Sequence, residues 1–212
     1  MTVTYPLSLP STPAARNTRF ALRSAAAVGS SPFTYKQQTH SFPGQMWEVE
    51  VQLPPMLRAT VADWQGWLLS LRGRYGTFLL GDWDATTPRG TATGTPVADS
   101  AGSPTINAAR DRVFHTTGWT TGVTGIMKAG DYLQIGTGLS SHLHMVVADA
   151  NSDGSGNAAL DIEPALREDV TNGLTITTSS AKGLFRLASN DIGWESNHAS
   201  VYGFTFACTE VL

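Results

Sequence analysis

From Met46 to Trp83 the chain reads MWEVEVQLPPMLRATVADWQGWLLSLRGRYGTFLLGDW, and the period of its apolar positions changes along the way. Trp47, Val49, Val51 and Leu53 alternate with Glu48, Glu50 and Gln52, which predicts a strand with one wet face. Pro54 and Pro55 lack the N–H a ladder needs, so a corner is expected there. A helix follows, with Thr60 as its cap and Asp63 three residues on, and Val61, Trp64, Leu68 and Leu71 recur at helical spacing. Gly73 and Gly76 end the helix, and Thr77 to Leu80, with Phe78 on the apolar side, returns as a strand against the same face.

The flanks read as further strands. Thr2 to Pro13 holds three prolines and suits an extended arm or edge strand, free to bind a neighbour. In Arg16 to Val28, Phe20, Leu22 and Ala26 alternate with Arg19, Arg23 and Ala25. Ser30, Ser31 and Pro32 close that strand. Phe33 to Phe42 is polar, and Pro43-Gly44 is a turn dipeptide before the Trp47 strand, so a hairpin of long strands is expected. Beyond Trp83 the composition shifts to Thr, Gly, Pro and Ala without periodicity. Of the 19 aromatic residues only Phe114, Trp119 and Tyr132 fall between Asp84 and Gly183, which predicts a second core built from smaller side chains. Within that segment Asp131 to Ile135, Leu143 to Val147, Ala158 to Ile162 and Leu174 to Thr178 read as short strands of a small barrel or sandwich. Phe185 to Ser189 and the alternation of Tyr202, Phe204 and Phe206 resume the aromatic core.

The expected fold class is therefore mainly β: an outer barrel or sandwich domain with one amphipathic helix, residues 1–85 and 184–212, and a small β domain inserted at 86–183. Such an insertion works when its two junctions lie close together on the surface. The expected structural core is Trp47, Val49, Val51, Leu53, Val61, Trp64, Leu68, Leu71, Phe78, Phe204 and Phe206.

Composition narrows the function. The 212 residues are 41% hydrophobic and 15% charged, enough for a packed core with few long solvated helices. A net charge of −3 gives no long-range attraction for phosphate, so no sequence-specific nucleic-acid binding is expected. No apolar run approaches the roughly 18 to 20 residues of a membrane span, and no secretory leader opens the chain, so no membrane anchor is expected. The single cysteine, Cys208, lies in an apolar run and reads as a small buried hydrophobe.

Candidate chemistry is sparse. Asp149, Asn151 and Asp153, followed by Gly154, match the opening of a calcium loop, but position twelve is Leu160 where a bidentate glutamate is needed, and a turn between strands accounts for the same residues. His142 and His144 share one strand face at a spacing that suits zinc, yet lack a third ligand at a supporting spacing, and read as polar-face histidines. Asp82 and Asp84 form a carboxylate pair of the kind turns favour. There is no nucleophile elbow, phosphate loop or dinucleotide fingerprint. Six tryptophans offer a sugar-binding alternative, although Trp47 and Trp64 fall on apolar stripes. No catalytic residue, metal or cofactor is expected.

Three stretches together resemble the distal tail and minor tail proteins of long-tailed, non-contractile bacteriophages. They are the Trp47 strand through Leu53-Pro54, the helix Val61 to Leu71 and Arg72 to Leu80; then Ala129 to Gly136 with His144 to Val147 and Ile162 to Arg167; and finally Phe185 to Leu187 with Tyr202 to Glu210. The resemblance implies a non-enzymatic virion protein, made in the host cytoplasm and placed at the tail tip. It implies a homo-oligomeric ring, commonly a hexamer, that joins the tail tube protein to the tip hub or baseplate and leaves a channel for DNA. A carbohydrate- or receptor-binding tail module is the alternative implied by exposed aromatics. A tail-tube or head-completion protein is a lesser alternative.

Overall fold

The structure is a computed structural model that describes residues 3–101, 106–196 and 201–212. It is mainly β, with two sheets and a single α-helix among the described residues. One sheet is built from β1 (Asn17–Ser30), β2 (Gln37–Leu57), β3 (Phe78–Leu80), β10 (Gly183–Leu187) and β12 (Val201–Glu210), in the order β1-β2-β12-β10-β3. A two-residue β11 (Glu195–Ser196) adds to β12. The other sheet takes all its strands from the middle of the chain: β4 (Gly94–Ala98), β5 (Val113–Trp119), β6 (Tyr132–Ile135), β7 (His142–Val146), β8 (Ala158–Glu163) and β9 (Ile176–Thr177). Its order is β4-β5-β8-β7-β6-β9, and β4 comes back to the β9 end through the Val97–Thr175 bridge and the Ala98 N–H bond to Leu174 O. The barrel is nearly closed, which removes most of its edges.

The first sheet is covered on one face by α1 (Arg58–Ser70). The helix is not capped by Thr60; it begins at Arg58 behind Leu57, whose side chain offers no hydrogen bond to the first turn. Its entry is fixed by packing. Val61, Trp64, Trp67 and Leu68 face the sheet; Trp64 and Trp67 meet edge-on, and both lie tilted against Phe206. After the helix, Arg72 and Gly73 both take positive φ, and Gly76 N–H bonds back to Leu71 O, which reverses the chain into β3. The N-terminal arm is not free: Leu7 pairs with Phe78, the Tyr5 hydroxyl donates to Ser70 O at 2.7 Å, and Trp64 Nε1 donates to Thr12 O at 3.0 Å. Every residue expected in the core, from Trp47 to Phe206, lies in the cluster between this sheet and the helix.

Two proline-based expectations change. Pro54-Pro55 does not end the strand, because β2 continues to Leu57 and absorbs both prolines at a shift in its pairing with β12. Pro43-Gly44 is likewise no turn. β2 runs through it opposite a register shift at Ser24/Ala26, and the hairpin reverses instead at Ser31 to Lys36, where Tyr35 takes φ 54°. The aperiodic stretch after Trp83 contains β4, and β5 also escaped the period reading; the end of that stretch, 102–105, lies outside the described residues.

A second core fills the barrel with Phe114, Trp119, Leu133, Leu160, Ile162 and smaller side chains. Tyr132 and Leu143, by contrast, belong to the first core. Period 2 in β7 explains this: Leu143 and Met145 point out of the barrel to the first sheet, and Val146 points in.

Leu68 is 2% exposed, so Leu68→Ala should cost about 2–5 kcal/mol, read as a lower urea midpoint at unchanged slope. A loss under about 0.5 kcal/mol would mean that the helix face is not core.

Candidate functional site

The outer half of the β1–β2 hairpin is the most unusual surface of the molecule. Residues 23–30 and 32–44 are all exposed, so the two strands leave the body after Leu22 and Gln45 and continue as a bare ribbon on the order of 25 Å long. One strand of this arm is small and uncharged, Ser24 to Ser30 (SAAAVGS), with Ala26 to Ser30 paired to Ser41 to Gln37 and Ser24 to Gln45. Lys36 is the one charged side chain between Ser24 and Gly44. The tip carries Phe33 at 91% and Tyr35 at 83% exposure, with Val28 and Phe42 also exposed along the ribbon. A two-stranded ribbon with no core on either face is marginally stable by itself in water, and its outer β1 edge presents unpaired backbone groups.

The arm is anchored by a polar seam between the two sheets. The period-2 parity that buries Trp47, Val49 and Val51 also buries Gln45, and the parity of Phe204, Phe206 and Cys208 also buries Glu210. Glu210 Oε2 accepts from Trp47 N–H at 3.1 Å and pairs with the Arg167 guanidinium. Arg167 Nη1 also donates to Gln45 O at 2.6 Å. Gln45 Nε2 donates to Glu163 Oε2 at 2.7 Å, Gln45 Oε1 accepts from Ala165 N–H at 3.0 Å, and Glu163 pairs in turn with Arg112. Trp47 Nε1 donates to Leu143 O at 2.9 Å. Burial pushes the Glu210 carboxyl above its usual range, while Arg167 and the Trp47 N–H pull it back. These residues did not stand out in the sequence, although Gln45 and Glu210 carried a signal: polar side chains at core-facing positions of strongly alternating strands.

The histidines flank a cleft of about 240 Å³ beside the seam, lined also by Thr137, Arg167, Glu168 and Thr171. They are not polar-face residues. His144 is 1% exposed and its Nδ1–H donates to Pro164 O at 2.7 Å, which leaves Nε2 as the acceptor. Burial drives His144 down to about 3 despite that hydrogen bond, with Arg167 and His142 adding to the effect. His142 is lowered as well, first by burial, with Glu168 opposing and Arg167 reinforcing. The calcium-like loop spends its oxygens on backbone N–H groups: Asp149 accepts from Ala129 and Asn151 from Gly125, both in the preceding segment, and Asp153 from Ser155 and Asn157 within the loop. Asp82 accepts from Asp84 N–H in a local turn. Cys208 is buried against Val49 O, and burial raises its thiol well above the usual range. Among the described residues no group of three His, Cys, Asp or Glu side chains could hold a metal ion, and no helix is long and apolar enough to cross a membrane.

Compared with known proteins, the chain matches no protein-family model and no curated sequence.

Removing Arg167 leaves the Glu210 carboxylate buried without its partner. Arg167→Ala should cost about 3–5 kcal/mol, whereas Arg19→Ala, which breaks an exposed pair with Glu50, should cost at most about 1 kcal/mol. Equal effects in a denaturant titration would contradict a seam that binds the sheets together. The pH dependence has a defined sign. His144 is lowered in the folded state from 6.5 to about 3, so the unfolded chain takes up its proton first, and the stability is complete above about 6.5 and lost as pH falls toward 3. Glu210, raised from 4.5, acts in the opposite sense: its contribution is present below that value and lost as pH rises through its folded pKa. Urea midpoints between pH 7 and 4.5 should therefore fall less in His144→Asn, whose amide keeps a donor toward Pro164, than in the parent chain. Parallel curves would remove His144 as the cause.

Proposed function

We propose that the protein is a non-enzymatic structural component of a phage tail tip, assembled from several copies of itself, six by the resemblance, into a ring between the tail tube and the tip hub. The observation that carries the assembly part of this reading is the bare arm with its aromatic tip. A ribbon of small side chains ending in Phe33 and Tyr35 is costly to leave in water and suited to lie across a neighbouring subunit. A cyclic ring needs head-to-tail contacts, so each subunit must offer two different complementary surfaces. The arm is one; the opposite end of the same sheet, where the N-terminal segment lies on β3, is available as the other. The seam supports the same reading, because it fixes the barrel to the sheet and lets one side of the subunit serve tube contacts while the barrel faces outward. A modest net negative charge suits a channel that passes DNA without the many phosphate contacts of tight binding.

The purified protein should run as a species about six times the 22.6 kDa chain mass and give rings in negative stain. Phe33→Ser with Tyr35→Ser should shift it toward monomer without lowering its melting temperature by more than a few degrees, since both side chains are solvated in the subunit. In a phage that encodes this chain, particles made without it should lack finished tail tips. A chain that stays monomeric at every concentration, alone and with tube protein, together with normal tails in its absence, would contradict the proposal.

A further inference from the structure

The first sheet carries a groove far from the seam, and its origin is readable residue by residue. Along β12 the register with β2 shifts between Tyr202, opposite Met56, and Phe204, opposite Leu53. Gly203 therefore stands against Pro54 and Pro55 together, with Glu195 of β11 paired on its other side. A side chain at Gly203 would point away from the core, opposite to buried Phe204, and would meet nothing within 4 Å. Gly203 lies on the floor of an open trough of about 500 Å³, within the range of roughly 300–1,000 Å³ usual for small-molecule sites.

The walls are chemically specific. Trp194, 40% exposed, forms one side. Arg16, Gln52, Glu195 and Thr205 surround it, and Arg16 is held there by its backbone N–H bond to Gln52 O at 2.8 Å. Gln52 and Thr205 are themselves register partners, so amide and hydroxyl sit side by side on the outer face. None of these four side chains has a hydrogen bond or ion pair within the described chain. Together they offer donors and acceptors of both kinds, one positive and one negative charge, and an indole surface. A ligand with no net charge, hydroxyls that both donate and accept, and an apolar C–H face to lie on the indole would use all of these groups at once. Sugars in ring form have all three properties.

We infer that the groove between Trp194, Gly203 and the Pro54-Pro55 bulge is a binding site for a short neutral glycan, with Trp194 as its stacking platform. This inference does not rest on the ring reading; it holds or fails for the single subunit.

The test is saturation-transfer NMR and calorimetry on the full chain with maltose, cellobiose, lactose, mannobiose and di-N-acetylchitobiose. At least one disaccharide should bind with a constant below about 10 mM. Trp194→Ala should weaken it by about tenfold or more. Gly203→Thr, a substitution that suits a strand and sets a branched side chain on the trough floor without touching the core, should weaken it by about tenfold or more. Thermal melts of both variants should match the parent. No binding by any of the five sugars overturns the inference, and so does binding that survives both substitutions in folded protein.

Discussion

One strand sets the terms for the whole molecule. β2 is 21 residues long, and its alternation changes meaning partway: from Gln45 to Leu53 every second side chain is buried, whereas before Gln45 none is. The inner half is gripped on both sides, by β1 and by β12, and covered by α1. Among the described residues the outer half has only β1 beside it, and its side chains on both faces are exposed. Because the same backbone carries both halves, the rigidity of the core is what holds the arm in a fixed direction. Trp47, at the junction, is fastened by its ring to Leu143 and by its backbone to Glu210.

The seam behind Trp47 is polar where an apolar contact would be less costly. A buried Arg–Glu pair gains little or nothing over a well-packed hydrophobic contact, because both ions lose water. Its geometry, however, tolerates only one relation between barrel and sheet. Arg167 reaches Gln45 and Glu210 at once, and Gln45 reaches Glu163 and Ala165 at once. A sliding interface of leucines would allow several relations. For a subunit that must meet different neighbours through different parts, a unique internal orientation has value beyond its contribution to stability.

Much of the fold was legible in the sequence and some was hidden for identifiable reasons. The alternations of Trp47 to Leu53 and Phe204 to Phe206 and the helical stripe from Val61 to Leu71 gave the first core, because each places large side chains on one face. The scarcity of aromatics from Asp84 to Gly183 pointed to a second core, and Phe114 and Trp119 do lie in the barrel, but Tyr132 crosses to the first because β6 and β7 form a shared wall. Prolines misled twice, since a strand can carry them at a register shift where no ladder bond is due. β4 and β5 escaped because Gly, Thr and Pro pattern weakly even when the backbone pairs. The seam was missed for a different reason: its partners are separated by more than 100 residues for Gln45 and Glu163, and the choice of partner is set by tertiary contact alone.

If the arm serves assembly, the backbone groups that are solvated in the lone subunit must become covered in the oligomer. Hydrogen–deuterium exchange isolates that change from any effect of mutation. Peptides spanning 24–31 and 37–43 should exchange within seconds in dilute monomer and gain protection of about tenfold or more in the assembled species, while those around Trp47 to Leu53 stay protected in both. Equal, fast exchange of the arm in monomer and oligomer would contradict it.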